Sequence, residues 1–352
     1  MYIIIYNIIL SLIEAVPLFS SRKSRMIDKQ LYCILVFIQC FILHAFLDPN
    51  EMVDLPNYIA AFNLFADNSI TESLLVGYVG VKMEVGWIVL CKLLSLIYDN
   101  YIILLIFTSF VIVGSYIVSI YKFSRIVWLS IFIYLCTMFD QSLYVLRQHL
   151  AMAICLFAVP FVQRKELYKF LVVVLIATLI HTTALLFVIV YPFANMKYTK
   201  NFIIKLILIS IVISLFSTSI FDILFSNTWY NSYGEKEGSN YTSFFIALCT
   251  FIFYIYSIKG NIKNVKGIEK TFFAMCILGV VISFTGVGYS PTNRLVKYFT
   301  LSSIFLIPIA LSKINKCEKK YALISLIMLF YSLLFFSQSN IKYIEHYKLI
   351  FN

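Results

Sequence analysis

The chain has 352 residues, 61% of them hydrophobic, and a mean hydropathy of +0.91. Charged residues make up only 13%, against about 25% in soluble domains, so the apolar remainder needs a bilayer as its solvent. The formal charge of +11 invites a nucleic-acid reading, but in a multi-pass membrane protein Lys and Arg gather in cytoplasmic loops, and their distribution decides.

Apolar runs between polar breaks predict spans over residues 2–19, 31–47, 86–98, 101–121, 126–141 and 148–162. Further runs follow at 167–192, 202–221, 243–258, 271–289, 297–312 and 321–337. A full crossing takes about 20 helical residues, so the shorter runs cannot span alone; 86–98 has 13 residues, with Lys92 in its middle. The pattern predicts an all-α, polytopic membrane helical bundle with about 10–12 transmembrane segments, some re-entrant or broken. It reads as a single integral membrane domain over residues 1–352, without internal repeat or low-complexity linker. The N-terminal MYIIIYNIILSLIEAVPLFSS has no basic stretch before its apolar run, which fits a retained helix better than a cleaved signal. The eight Cys are scattered through apolar stretches without a CxxC pair, so they read as small hydrophobes and no metal site is expected.

Five basic clusters orient the chain: Arg22–Lys29, Arg164–Lys169, Lys197–Lys205, Lys259–Lys270 and Lys313–Lys320. Assigned to the cytoplasm, they absorb most of the positive surplus, and nucleic acid drops out as a partner. The segment 48–84 carries six acids and one base, Lys82, and reads as an outer (periplasmic) loop; 222–242 reads as the second. Two spans between Glu84 and Lys122 would leave Lys122 and Arg125 outside, so either these are exceptions or 86–98 is re-entrant. The run 167–192 begins and ends near basic clusters yet is long enough for one crossing only. The expectation is a break at Ile180-His181-Thr182-Thr183, which is tolerated where the broken helix lines a polar cavity.

Ionisable groups at membrane depth are costly and mark function by default. Arg accounts for only six of the 28 basic residues, and Arg147 and Arg294 lie at outward ends of apolar runs, where positive-inside logic disfavours them. A guanidinium grips phosphate bidentately, so two such groups point to a phosphate-bearing ligand; the alternative is that each anchors a helix at the interface. His181 is the one His inside a long apolar run and suits proton transfer from a hydroxyl, against the alternative of a satisfied core His. His44 is a weaker candidate, His149 faces away from Arg147 on a helix, and His346 lies in the polar tail. Glu84 stands immediately before an apolar run, where its carboxylate would activate a hydroxyl or orient the His. Asp54 opens a loop segment that also holds Tyr58. Glu14, deep in the first span, is expected to hydrogen-bond within the bundle. The aromatic and amide-rich stretch Asn227–Gly234 would suit a sugar face or an interface loop equally.

In order, Asp54-x-x-Asn57-Tyr58, Glu84-x-Gly86, Leu146-Arg147-Gln148 with Ala151, His181 with Ala184, and Arg294-Leu295-x-x-Tyr298-Phe299 resemble the EpsG-like family of Wzy-type bacterial polysaccharide polymerases. One departure is Val53-Asp54-Leu55-Pro56, where that family more often has Gly-x-Asp-Ser/Thr. The resemblance implies a fold similar to GT-C glycosyltransferases, in the bacterial inner membrane with the site facing the periplasm. It implies transfer of undecaprenyl-diphosphate-linked oligosaccharide onto a lipid-linked repeat unit, building O-antigen or capsule without cofactor or metal. Catalytic roles would fall to His181, Glu84, Arg147 and Arg294, and substrate binding to Arg147, Gln148, Arg294, Asp54, Tyr58 and Tyr298. Partners would be the lipid-linked donor and acceptor, membrane lipid and a chain-length regulator protein. A flippase for the same lipid-linked unit is the competing reading; it should bring repeat symmetry and central charges on several helices, of which only Lys92 and Glu14 give a hint.

Overall fold

The structure, a computed structural model, describes residues 2–19, 26–48, 52, 54–215, 241–285, 290–337 and 349. The aromatic stretch Asn227–Gly234, most of the second expected outer loop, His346 and Arg22, Lys23 and Arg25 lie outside the described residues. Among the described residues the chain is all helical apart from turns and one isolated antiparallel bridge, Leu47 to Leu349. The protein is an all-α, polytopic membrane bundle. Among the described residues six helices are long and apolar enough to cross a membrane, and seven apolar helices are shorter, at 10–17 residues. The chain forms two compact units: Met1–Ala158, Leu171–Leu185 and Met328–Asn352 in the first, Val159–Phe170 and Leu186–Ile327 in the second.

The first unit holds α1 (Tyr2–Phe19), α2 (Met26–Ala45), α3 (Leu55–Asp67), α4 (Ile70–Leu75), α5 (Val85–Ile97), α6 (Ile102–Phe123), α7 (Val127–Tyr134) and α8 (Asp140–Ser142). The greater parts of α9 (Leu146–Arg164) and α10 (Leu167–Ile180) also belong to it. Helix α2 packs along α6, and α3 packs on α5. Polar groups in this apolar interior find one another: Glu14 accepts from Gln39, as expected for an acid in the first span, and His44 Nδ1 lies 2.7 Å from Ser109 Oγ. The segment 48–84, read from its acids as a loop, is largely helical. It forms α3, a capping box in which Ser69 and Glu72 satisfy each other's backbone amides at the start of α4, and a π-helical stretch Val76–Val81.

The second unit holds α11 (Val190–Asn195), α12 (Lys200–Ser214), α13 (Thr242–Ser257), α14 (Gly267–Thr285), α15 (Ser290–Thr300) and α16 (Ser303–Ser312). It also takes the start of α17 (Cys317–Ser337). Helix α14 is its hub, packed by α11, α12, α13, α15 and α16. Phe272 to Leu278 are buried without interruption, as a helix that is apolar all round requires, and Phe272 stacks on Phe305 at 4.3 Å. The outward face of α12 is apolar as well, with Ile204, Leu208 and Val212 all exposed; on α17, whose second half belongs to the first unit, Leu326, Leu329 and Leu333 are exposed too. In water such faces would aggregate; in a bilayer they meet acyl chains.

Of the eight cysteines, all reduced, only Cys249 and Cys317 are exposed. N-ethylmaleimide should therefore modify two thiols of the detergent-solubilised protein, counted by intact mass, and modification of the remaining six should require unfolding.

Candidate active site

The π-helical stretch Val76–Val81 ends in a left-handed residue, Lys82 (φ 58°), whose amide turns back to the carbonyl of Gly77. The Met83 amide does the same at 2.9 Å. This tight reversal delivers Glu84 in extended conformation to the N-cap of α5. An acid at an N-cap ordinarily accepts from its own helix's first-turn amides. Glu84 makes no such bond, and its carboxylate crosses to two other helices.

Gly86 makes the crossing possible. A β-carbon there would fall 2.6 Å from the carbonyl oxygen of Leu179 and 2.7 Å from its carbonyl carbon, contacts that a backbone cannot relieve by a rotamer change. The start of α5 therefore lies directly on the last turn of α10, two residues before Glu84's partner. Helix α10 ends at Ile180, and a 3-10 helix runs from Thr182 to Ile189. The break expected at Ile180–Thr183 is present, with His181 in it.

Four groups converge on the Glu84 carboxylate. Its Oε1 lies 2.9 Å from His181 Nδ1, accepts from the Thr182 amide at 3.1 Å and takes the Thr182 hydroxyl at 3.4 Å. Its Oε2 accepts from Arg147 Nη1, which enters from the first turn of α9. Arg147 also donates to the Tyr58 hydroxyl, with its guanidinium carbon 5.7 Å from that ring's centroid. The Tyr58 ring in turn packs against the fully buried Trp87 at 5.5 Å. All these residues belong to the first unit. The Arg147, Glu84 and His181 side chains retain only 21%, 14% and 15% exposure.

Burial alone would raise the Glu84 carboxyl, but the hydrogen bond from His181, the Arg147 charge and the Thr182 amide outweigh it and hold the group at about 2. An ionised carboxylate can only accept, so His181 carries a proton on Nδ1, and in the neutral ring it is Nε2 that holds the lone pair. Arg147 is not used up by Glu84: its Nε is buried with no hydrogen-bond partner among the described residues. The arrangement can thus take a proton at one point and stabilise negative charge at another. No group of three metal-ligating side chains occurs among the described residues.

The other residues singled out from sequence fall elsewhere. Asp54 is the N-cap of α3, one turn before Tyr58 and on the same side of that helix. Gln148 is buried beside Arg147 in the first turn of α9. Arg294 and Tyr298 lie one turn apart on α15 in the second unit, Arg294 half-buried and Tyr298 fully buried. His149 is fully buried. Sequence reading missed the Thr182 amide, the Trp87 floor and the steric duty of Gly86. The last two flank Glu84 closely enough that a Gly and a Trp opening an apolar run were the available signal.

Gly86→Ala should force α5 off α10, costing about 3 kcal/mol as an overpacked site, read as a lower melting temperature with loss of activity. Glu84 is depressed from 4.5 to about 2, so its ionised form contributes stability that is complete above pH 4.5 and is lost as pH falls through about 2. Glu84→Gln should remove that part of the acid slope in unfolding measurements.

The EpsG family profile matches residues 29–350. No curated protein and no solved structure gives a significant match. A match over nearly the whole length, on a chain whose Glu84, Arg147 and His181 meet in one place, has one consequence: the protein belongs to the EpsG family, a family of Wzy-like polysaccharide polymerases.

Proposed function

We propose that the protein is a bacterial surface-polysaccharide polymerase that lengthens O-antigen or capsule chains at the periplasmic face of the inner membrane. The donor is an undecaprenyl-diphosphate-linked chain and the acceptor a second lipid-linked repeat unit. The observation that carries this reading is the single carboxylate, Glu84, that holds a proton-accepting imidazole and a partly unpartnered guanidinium together.

In this reading His181 Nε2 takes the proton from the acceptor hydroxyl as its oxygen attacks the anomeric carbon of the donor sugar. The bond from that carbon to the diphosphate oxygen breaks, and undecaprenyl diphosphate leaves with the electron pair. Arg147 meets the charge that develops on the leaving oxygen. Glu84 keeps the His181 ring in one tautomer and supports the imidazolium once it forms, as the carboxylate does in Asp-His pairs. A carboxyl held at about 2 with both oxygens engaged is a weak base, so proton transfer falls to His181 rather than Glu84. Tyr58 and Trp87 hold the Arg147 fork in place, and Asp54 and Gln148, near Tyr58 and Arg147 along their own helices, are assigned to substrate binding. Arg294 and Tyr298 are carried by the family motif, and Arg294 is assigned to the diphosphate on that ground alone.

His181→Ala should lower polymerisation by about 10²–10⁴-fold. Arg147→Lys should not rescue Arg147→Ala, because an ammonium cannot reproduce the planar fork. In the polysaccharide-producing cell, with expression checked, these variants should keep single-repeat glycolipid and lose long chains. Loss of all repeat export would identify a flippase instead, and normal chains in Arg147→Ala, His181→Ala and Arg294→Ala would overturn the site. Orientation is tested at Cys317, exposed beside Lys316, Lys319 and Lys320. A membrane-impermeant maleimide should label it in inverted vesicles and spare it in spheroplasts.

A further inference from the structure

The second unit contains a cavity of about 550 Å³ where the start of α12 faces the turn that follows α13. Lys200, Lys259 and Lys263 line it together with Asn201, Asn261 and Tyr198, and no carboxylate is among its described lining residues. The convergence is close. Lys200 Nζ lies 3.4 Å from the point a β-carbon on Gly260 would occupy, so the absence of a side chain at 260 admits the ammonium against the turn. Lys259 and Gly260 are both left-handed, at φ 51° and 69°, and bring the chain round sharply enough for Lys259 and Lys263 to share one concavity. Thr199 caps α12 by accepting from the Phe202 amide at 3.1 Å, and the dipole of this 15-residue helix adds positive potential at the same end.

The surrounding charges do not neutralise this site. Lys270 stands 5.4 Å over the Tyr198 ring and adds a further cation at its edge. Glu269, the acid in the first turn of α14, is engaged by Lys313 and the Tyr254 hydroxyl. Three lysines line one concavity with no acid among its described lining residues, and a multiply charged anion would relieve the repulsion among their like charges. The volume lies within the range of about 300–1,000 Å³ typical of ligand sites, and it exceeds what a bare phosphate fills.

An apolar stripe begins at the same lysine. Ile204 and Leu208 follow Lys200 at intervals of four residues and stand near its side of α12, with Val212 winding further round the helix; they are 55%, 56% and 56% exposed. A cationic cavity at the head of an exposed apolar stripe matches a molecule with a phosphate at one end and acyl chains at the other. We propose that this cavity is a binding site for the phosphate headgroup of an anionic lipid, with an acyl chain along Ile204, Leu208 and Val212. It is separate from the Glu84 group and independent of the function assigned to that group.

The test uses the full-length protein with phosphatidylglycerol or phosphatidylcholine in mixed micelles, bound lipid being counted by native mass spectrometry. Inorganic pyrophosphate, titrated calorimetrically without anionic lipid, is the soluble-phosphate arm. Lys200→Gln/Lys259→Gln/Lys263→Gln removes the cavity's charge, and Lys316→Gln/Lys319→Gln/Lys320→Gln removes the same charge elsewhere. Each near-surface Lys is worth about fivefold in affinity for an anionic lipid, so the cavity variant should bind phosphatidylglycerol about 100-fold more weakly. The control variant should match wild type, and phosphatidylcholine should not discriminate among the three. Equal phosphatidylglycerol binding by the wild type and the cavity variant would overturn the lipid assignment. If the cavity variant then loses pyrophosphate binding alone, the site belongs to a soluble phosphate ester; if it loses neither, there is no phosphate site at these lysines.

Discussion

An ionised carboxylate inside a membrane protein must be held by positive charge and hydrogen-bond donors, because apolar surroundings do not solvate it. Glu84 meets that requirement with a guanidinium from α9, an imidazole from the break after α10 and a backbone amide next to it. Meeting it ties three separate stretches of the first unit to one point. The constraint also runs in reverse. Arg147 and His181 are drawn into positions that local helix geometry alone would not select, and the amide of Thr182 is available only because the helix stops at Ile180. Removing the carboxylate would leave the cationic side chain without its counter-charge, which is why the cost of breaking such a pair exceeds its net contribution when intact.

Packing makes the electrostatics possible. The α5–α10 approach depends on a missing β-carbon at Gly86. The reversal at Lys82 sets where α5 starts, and Tyr58, packed on Trp87, lies against the guanidinium. The proposed glycosyl transfer would need a base and a stabiliser of negative charge held at fixed spacing, and a carboxylate shared between them fixes that spacing. The second unit follows a different logic. Its hub, α14, is buried because it is apolar on every side, while its lysine-rich end gathers positive charge around a cavity.

Much of the fold was legible in the sequence because a bilayer imposes a simple code: apolar length for helices, and Lys and Arg for sidedness. The helical class, the break at His181 and the hydrogen-bonded role of Glu14 all follow from it. The code does not carry the local structure of 48–84, which is largely helical. Ser69 and Glu72 are there as a helix cap, and the apolar faces of Tyr58, Phe62 and Phe65 pack α3 on α5. For the site, the unusual placement of Arg147, His181 and Glu84 singled them out one by one, but their meeting was not legible. It depends on contacts 63 and 97 residues apart in the chain and on steric room at Gly86, neither of which a periodic pattern encodes.

The central claim is that Glu84 acts through His181 rather than beside it. A double-mutant cycle on the polymerisation rate, comparing Glu84→Gln, His181→Ala and the combined variant at matched expression, tests it most directly. Groups that act as one unit lose their contribution once. Because Glu84 also holds Arg147, the account predicts that the combined variant is slower than His181→Ala but by less than the product of the two single effects. Losses that multiply, with the combined variant slower by the product of the two single effects, would contradict it.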